Sequence, residues 1–137
     1  MAEATVVIAG WTTPGGKSMT ATDPSRLIID RADGRDDGNA WTQDYQHLPG
    51  DPGISIIIES TSEEGVGPRL HRHPYAETFI IRRGSATFTL GDEHLIARAG
   101  QVLVAPAGTP HKFRTGPGGY EAIHIHVSPH FITEWLE

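Results

Sequence analysis

The most informative absence in this sequence is cysteine, of which it contains none. Disulfide frameworks, iron–sulfur clusters and cysteine nucleophiles are therefore excluded. Zinc sites built from thiolates are excluded for the same reason.

The sequence also lacks clusters of basic residues and long apolar runs. Its formal net charge is −6, and an acidic chain without a Lys/Arg cluster is a poor candidate for nucleic acid or anionic membrane. The N-terminus has no basic region, and its apolar stretch at residues 5–9 is too short for a signal sequence or a membrane span. We therefore expect a cytoplasmic protein that binds neither nucleic acid nor membrane.

The chain is rich in glycine and proline, with 16 and 10 residues respectively. Such residues favour short strands and turns over long helices. The strand-like runs after residue 54 are short and closely spaced, at 55–59, 78–82, 86–90, 94–97, 102–105 and 122–127. This pattern is typical of an all-β sandwich or barrel, and 137 residues fit one domain.

The two ends of the chain differ from this pattern. Residues 1–53 are rich in Gly, Pro, Asp and Thr and predict a loop-rich N-terminal arm, with strands at 5–9 and 26–30. Residues 129–137 predict a short C-terminal helix. The core of the barrel is then expected within residues 54–128.

Four residues stand out as candidate metal ligands: His71, His73, Glu77 and His111. Side chains alternate faces along a strand, so His71 and His73 point the same way with Cα atoms about 6–7 Å apart. Glu77 shares their parity, and His111 comes from a separate segment. Three imidazoles and one carboxylate suit Fe(II), Mn(II), Ni(II), Co(II), Zn(II) or Cu(II), and ligand type does not choose among them.

The glycine and proline residues around these ligands resemble the cupin superfamily. Its first motif is Gly, five residues, His-x-His, three or four residues, Glu, six residues and Gly, which Gly65, His71, His73, Glu77 and Gly84 match. Its second motif is Gly, five residues, Pro-x-Gly, two residues, His, three residues and Asn. The matching residues there are Gly100, Pro106, Gly108 and His111, whereas the last position is Thr115.

The resemblance implies a double-stranded β-helix, which is a jelly-roll barrel with one divalent metal ion inside. It implies that the two histidines and the glutamate of the first motif and the histidine of the second bind this ion. Gly84, Gly100 and Gly108 would occupy turns that exclude a side chain or need positive φ, and Pro106 would fix the turn before His111. The asparagine that Thr115 replaces is not a metal-binding position in the family.

Further residues are candidates for the wall of the pocket. Phe79, Ile81 and Phe113 are predicted to line it because they share the parity of the neighbouring ligands. Tyr75 and Arg69 flank the histidine pair and could contact a substrate, although exposure at the barrel mouth is the competing interpretation.

The last predicted strand presents two alternative faces. Ile123, Ile125 and Val127 alternate with His124 and His126. Hydrophobic patterning favours the aliphatic face inside and the histidines outside. The alternative places the two histidines near the metal as acid–base or substrate-binding groups.

Two functions are compatible with such a site. The first is a metal-dependent enzyme that acts on a small oxygenated metabolite by dioxygenase, isomerase, lyase or decarboxylase chemistry. The second is a non-catalytic binding or sensor module with a structural or ligand-orienting metal. Fold does not choose between them. We also expect a homodimer, because small cupins commonly pair through sheet edges and the strand predicted at residues 5–9 could add to a neighbour's sheet.

Overall fold

The computed structural model describes residues 24–29 and 40–137, and it confirms the predicted all-β architecture. Long polar and apolar alternation, interrupted by glycine turns, builds strands that each present one face to a common interior. The strands in the described part are β1 Ala40–Tyr45, β2 Ser55–Thr61, β3 His71–Arg72, β4 Glu77–Leu90, β5 Glu93–Arg98, β6 Val102–Ala105, β7 His111–His126 and β8 Glu134–Trp135.

Two long antiparallel strands, β4 and β7, form the spine of the sheet. They pair from Glu77 opposite His126 to Leu90 opposite His111. The second half of β7 also pairs with β2, while its first residue pairs with β3. Strands β5 and β6 pair with the two halves of β4, and β1 extends the sheet beyond β2. The sheet curls on itself as the jelly-roll barrel that the sequence predicted.

A register shift in the middle of β4 changes which residues face the interior. Glu77, Phe79 and Ile81 point inward in the first half, whereas Ala86 and Phe88 point inward in the second. The shift falls between Ile81 and Ala86, opposite residues 115–122 of β7. Such bulges reverse the parity of a strand and increase its twist. The first half of β4 thereby supplies one polar side chain, Glu77, to the interior, whereas the second half supplies only apolar ones.

The apolar end is closed by packed aromatic rings. Phe88 lies 4.9 Å from Phe79 and 5.4 Å from Phe113 between ring centroids, and Tyr120 lies 5.2 Å from Phe113. Each of these rings is at least 97 % buried, and burial of one such side chain contributes about 1.5–3 kcal/mol. This cluster is the floor on which the candidate site rests.

The C-terminal segment differs from the prediction, because residues 129–137 form no helix. Glu134 and Trp135 instead form strand β8, which pairs with Arg72 and His71. The main-chain N–H of Leu136 donates to the carbonyl of Leu70 at 2.9 Å. The guanidinium of Arg72 donates two hydrogen bonds to the carboxylate of Glu134. Pairing with the otherwise open edge of β3 outweighs the weak helical pattern.

The predicted strand at residues 26–30 was also wrong where the structure describes it. Pro24–Leu27 is a 3-10 helix, and the N–H of Ile28 donates to the carbonyl of Ser25. Proline at the first position of a helical turn suits this conformation. In the described part of the chain, no helix has the length and apolar content that a membrane crossing needs. The strand predicted at residues 5–9 lies outside the described residues.

Candidate metal centre

The four predicted ligands meet at one end of the barrel. His71 belongs to β3 and lies opposite His111 of β7, while His73 follows β3 and Glu77 begins β4. All four side chains are buried, and one ligand atom of each lies within 4.8 Å of the others. The structure therefore brings together two segments that are 34 residues apart at Glu77 and His111.

The orientation of each imidazole is fixed by its outer nitrogen. Nδ1 of His71 donates to the carbonyl of Arg69 at 2.7 Å, and Nδ1 of His111 donates to the carbonyl of Thr109 at 2.8 Å. Nδ1 of His73 donates to the carbonyl of Ile132 at 2.8 Å. A hydrogen bond from one ring nitrogen to a carbonyl leaves the other nitrogen as the metal-facing atom. Each ring thus turns Nε2 toward the shared centre.

Glu77 lies at the middle of this group. Its Oε1 is 3.0 Å from Nε2 of His111 and 3.1 Å from Nε2 of His73. Burial favours the neutral carboxyl, but the hydrogen bond from His111 and further contributions from His126 and His73 lower the pKa of Glu77 well below its usual value. The carboxylate is therefore ionised, as a metal ligand must be.

The imidazoles respond to the same environment in opposite ways. Burial lowers the pKa of His71 to about 4, so this ring is neutral at physiological pH. His111 is also desolvated, but its hydrogen bonds with Glu77 and the carbonyl of Thr109 raise its pKa. A neutral imidazole with a free Nε2 is the form that binds metals.

The donor set fits a divalent transition metal. Nε2 of His73 is buried and has no hydrogen-bond partner of acceptable geometry, although Glu77 lies 3.1 Å away. A buried polar atom without a partner carries a cost unless a ligand satisfies it. Three Nε2 atoms and one carboxylate converge here, and the chemistry of this set suits the ions predicted from the sequence.

His124 and His126 point into the barrel, contrary to the arrangement that hydrophobic patterning favoured. Both side chains are 98 % buried, whereas Ile123 and Ile125 are only partly buried and Val127 is 58 % exposed. The reversal of parity arises in the Gly-Pro-Gly-Gly stretch at residues 116–119, where two glycines have φ above +80°. The aliphatic residues of this half of β7 therefore face outward. The histidines face the barrel interior, which holds polar groups at the end with the candidate ligands.

His124 is held by the aromatic floor. The hydroxyl of Tyr120 lies 2.9 Å from Nε2 of His124. Burial raises the pKa of Tyr120, so its hydroxyl stays protonated and donates, and burial lowers the pKa of His124 to about 4. The remaining proton of the neutral ring sits on Nδ1, which lies 3.7 Å from Oε2 of Glu77. His124 thus faces the carboxylate at a distance longer than a hydrogen bond.

His126 lies near the same carboxylate oxygen of Glu77. Its Nε2 lies 3.3 Å from Oε2 of Glu77, and its Nδ1 lies 2.7 Å from the hydroxyl of Tyr75. That hydroxyl accepts a hydrogen bond from the N–H of Ile132 at 3.2 Å. Tyr75 therefore acts on the site through His126, and its ring also stacks on His73 at 5.0 Å.

A cavity of about 320 Å³ opens beside the candidate ligands. Phe79 and Phe113 line this cavity, whereas Ile81 lies in the hydrophobic core and is not among the lining residues. Most of the surface of its wall is apolar, although seven of the thirteen lining residues are polar. An apolar surface with a few polar groups is common in small-molecule sites. The other lining residues are Ile57, Glu59, Pro68, His71, Glu77, His111, His124, His126, Phe131, Thr133 and Trp135.

Arg69 lies outside this cavity. Its guanidinium carbon stacks over the ring of Trp135 at 4.7 Å, and its Nη1 donates to the main-chain carbonyl of Glu137. Its main-chain carbonyl, in contrast, accepts the hydrogen bond from Nδ1 of His71. The backbone of Arg69 serves the site, while its exposed side chain covers the outer face of Trp135.

Glu59 is the one titratable residue described in the cavity wall that the sequence analysis did not predict. It lies on β2, opposite Thr42 of β1 and Ala122 of β7. Burial, followed by the charges of Glu77 and Asp44, raises the pKa of Glu59 to about 7. Strand parity with Ser55, whose side chain is fully buried, was the signal in the sequence that would have identified it.

The last motif position, Thr115, has a structural role. Its hydroxyl donates to the carbonyl of Glu63 at 2.7 Å and accepts from the N–H of Val66 at 3.1 Å. Its main-chain groups bond Gly65 and Val66. Thr115 therefore fastens the loop before the histidine pair, a position where an amide side chain could do the same.

The fold and this centre define a small β-barrel with a candidate His₃Glu metal site. Residues 58–126 match the sequence model of the cupin domain, so this chain belongs to the cupin family. A search of curated protein sequences found no match.

Solved structures with the same fold include oxalate decarboxylases and a seed globulin. Oxalate decarboxylase from Bacillus subtilis is 23 % identical with a TM-score of 0.63, over 74 % of this chain and 29 % of its own. That enzyme has Mn(II) centres. A pumpkin seed globulin is 20 % identical with a TM-score of 0.65, over 80 % and 31 % of the two chains.

Oxalate decarboxylase from Lactobacillus farciminis, solved as a formate complex, is 25 % identical with a TM-score of 0.62. The match covers 74 % of this chain and 33 % of that one. The present chain thus spans about three tenths of the length of these proteins, and the likeness establishes the fold.

Proposed function

We propose that this protein is a metal-dependent enzyme that acts on a small, uncharged, oxygen-bearing metabolite. The observation that carries this proposal is the convergence of three Nε2 atoms and the Glu77 carboxylate beside an apolar cavity. His71, His73, Glu77 and His111 would hold the ion. When bound, a divalent ion supplies Lewis acidity or, if redox-active, activation of dioxygen.

The protein's own residues supply shape and orientation. Phe79, Phe113 and Phe131 exclude water from the cavity, and a dry site strengthens electrostatic interactions. Nδ1 of His124 and Nε2 of His126 face Oε2 of Glu77 at 3.7 and 3.3 Å, while His73 and His111 approach its Oε1. Such outer contacts orient a metal ligand, and their loss commonly changes metal affinity by about 10–100-fold.

Charge argues against oxalate as the substrate. Oxalate is a dianion at neutral pH, and a divalent ion held by Glu77 would leave one positive charge to face it. Among the described residues no lysine or arginine lines the cavity, which also contains Glu59. Buried anions need paired cations or hydrogen-bond donors. We therefore favour a neutral compound that carries hydroxyl, enol or keto oxygens and can chelate a metal through them.

Metal loading tests the ligand assignment. We expect the wild-type protein to retain about one equivalent of a divalent metal after desalting, and His73→Ala and His111→Ala to bind it at least about 100-fold more weakly, because each loses a directly coordinating group. Elemental analysis measures this. His94→Ala is the matched control, since His94 is exposed on β5. Equal metal in all four proteins would contradict the assignment.

Turnover distinguishes the enzyme from a binding module. Metal-loaded protein is incubated with hydroxyketones, enols and catechols, while oxygen uptake and product masses are followed. Consumption that is lost in His111→Ala supports the enzyme. Saturable binding of these compounds without any conversion would instead support a non-catalytic module.

We also propose that the protein is a cytoplasmic homodimer, on the sequence grounds given above. A dimer would keep exposed strand edges away from other partners. Light scattering at micromolar concentration is expected to give twice the chain mass of 14.8 kDa. A mass equal to one chain would contradict the dimer.

A further inference from the structure

We propose that Glu59 is the acid–base residue of the cavity, and that it accepts the proton of a hydroxyl or enol group as an uncharged substrate binds. This inference rests on the metal-dependent function proposed above. It assigns a role to a residue that lies outside the family's ligand motifs.

The placement of Glu59 follows from the alternation of β2. Ser55 and Thr61 are buried, and Ile57 and Glu59 line the cavity, so that every second residue of this strand faces the interior. Glu59 also lines a second cavity of about 310 Å³, which lies on the side of Thr42 and Thr115. Its carboxyl group therefore stands at the junction between the metal cavity and a neighbouring space.

No cation in the described residues neutralises the side chain of Glu59. Within the described part of the chain it makes no hydrogen bond or ion pair, and no lysine or arginine lines either cavity. Glu59 interacts electrostatically with three titratable groups on other strands. They are Asp44 of β1, Glu77 of β4 and Tyr120 of β7. Two of these are acidic and the third is a protonated phenol.

A carboxyl group in such surroundings can exchange a proton near neutral pH. Burial and neighbouring negative charge both penalise its ionised form, and this combination in a cleft is characteristic of general acids and bases. Because the pKa of Glu59 is raised to about 7, its carboxylate predominates at pH 8 and can accept a proton there.

Each of the other titratable side chains described in the wall makes at least one hydrogen bond. Nε2 of His124 accepts from Tyr120, and Nδ1 of His126 is bonded to Tyr75. His71, His111 and Glu77 belong to the candidate ligand set. Among the titratable residues that line the cavity, Glu59 is left without such a role.

The same features define the substrate class. Apolar walls and two carboxyl groups disfavour an anion, so the substrate enters as a neutral hydroxyl or enol compound. In the proposed step the O–H bond of the substrate breaks, its oxygen keeps the electron pair, and the proton forms a new O–H bond on the Glu59 carboxylate. Return of this proton to the product restores Glu59, so no oxidant or further reactant is needed.

Proton counting tests this step without relying on turnover. The full chain is loaded with Zn(II), which is redox-inert, and titrated at pH 8 with catechol, which is uncharged at that pH, in two buffers of different ionisation enthalpy. Calorimetry then gives the number of protons released per probe bound. We expect Glu59→Gln to release about one proton more than the wild-type protein, because it cannot accept the proton that the probe loses.

Asp44→Asn is the matched control. It removes a carboxylate from the adjacent strand β1, and Asp44 itself lines neither cavity. Its proton count should equal that of the wild-type protein. Equal counts for wild type and Glu59→Gln, with zinc retained and probe bound, would overturn the role of Glu59 and leave the metal-dependent function standing. Absence of zinc from the wild-type protein would overturn both.

A second measurement needs no variant. In the ¹³C-labelled wild-type protein with zinc, the side-chain carboxyl resonance of Glu59 should move from the ionised to the neutral position when the probe is added at pH 8. A resonance that stays at the ionised position would overturn the proposal.

Discussion

Gly84→Ala is expected to lower the free energy of unfolding by at least about 3 kcal/mol, among the larger effects of single substitutions. Gly84 has φ of +71°, and a Cβ atom there would lie 2.0 Å from the carbonyl oxygen of Gly119. The positive φ alone costs about 1–2 kcal/mol for an L-residue. The clash is with main chain, so strands β4 and β7 must separate at the register shift to relieve it.

Gly108→Ala separates these two causes. Gly108 has nearly the same φ, +77°, but a Cβ atom there meets nothing within 4 Å. It should therefore lose only the conformational part, about 1–2 kcal/mol. Urea denaturation followed by circular dichroism measures both variants. Similar losses for the two would show that the close approach of Gly84 to Gly119 does not occur.

Saturation with a divalent metal is expected to stabilise the folded protein strongly. At a free metal concentration 1,000 times Kd, a ligand that binds only the native state contributes about 4 kcal/mol. For a chain of this size we expect Tm to rise by roughly 10–15 °C. The physical reason is that the ligand atoms meet only in the folded barrel, where one of them, Nε2 of His73, lacks a hydrogen-bond partner.

Differential scanning calorimetry before and after chelation measures this shift. His94→Ala should retain it in full, whereas His111→Ala should lose most of it. A chelator that leaves the Tm of the wild-type protein unchanged would argue against metal binding by the native barrel.

The sequence predicted the fold and the ligand cluster because both leave local signals. Strand parity gave His71 and His73 one face, and glycine and proline spacing indicated the turns that bring His111 to them. Gly100 and Gly108 lie in turns, whereas Gly84, for which a turn was also expected, lies within β4. Only a residue without Cβ fits the position of Gly84 beside Gly119. That the four side chains bind a metal is still a prediction.

The face of the last strand could not be predicted in the same way. Its parity depends on how many residues of the Gly-Pro-Gly-Gly stretch join the ladder opposite β4, which is a property of the paired strands. His124 and His126 consequently lie inside, although Ile123 and Ile125 made the opposite face more apolar. The rule that apolar residues face inward fails where the interior itself holds polar groups.

The C-terminal segment and Glu59 depended on long-range contacts as well. Strand β8 exists because β3 offers an open edge more than 60 residues earlier in the chain, and the Arg72–Glu134 pair spans 62 residues. Glu59 looked like the polar end of an apolar run. Its unpaired state is visible only when the strands on both sides of β2 are in place.

The hydrogen bonds from Nδ1 of His71, His73 and His111 to main-chain carbonyls have a consequence for binding kinetics and entropy. A free imidazole in water exchanges between two tautomers and rotates about two torsions, and an incoming ion must wait for the right combination. Here each carbonyl selects one tautomer and one ring orientation during folding. The entropy of arranging the ligands is therefore lost before the ion arrives, and the centre is preorganised for association.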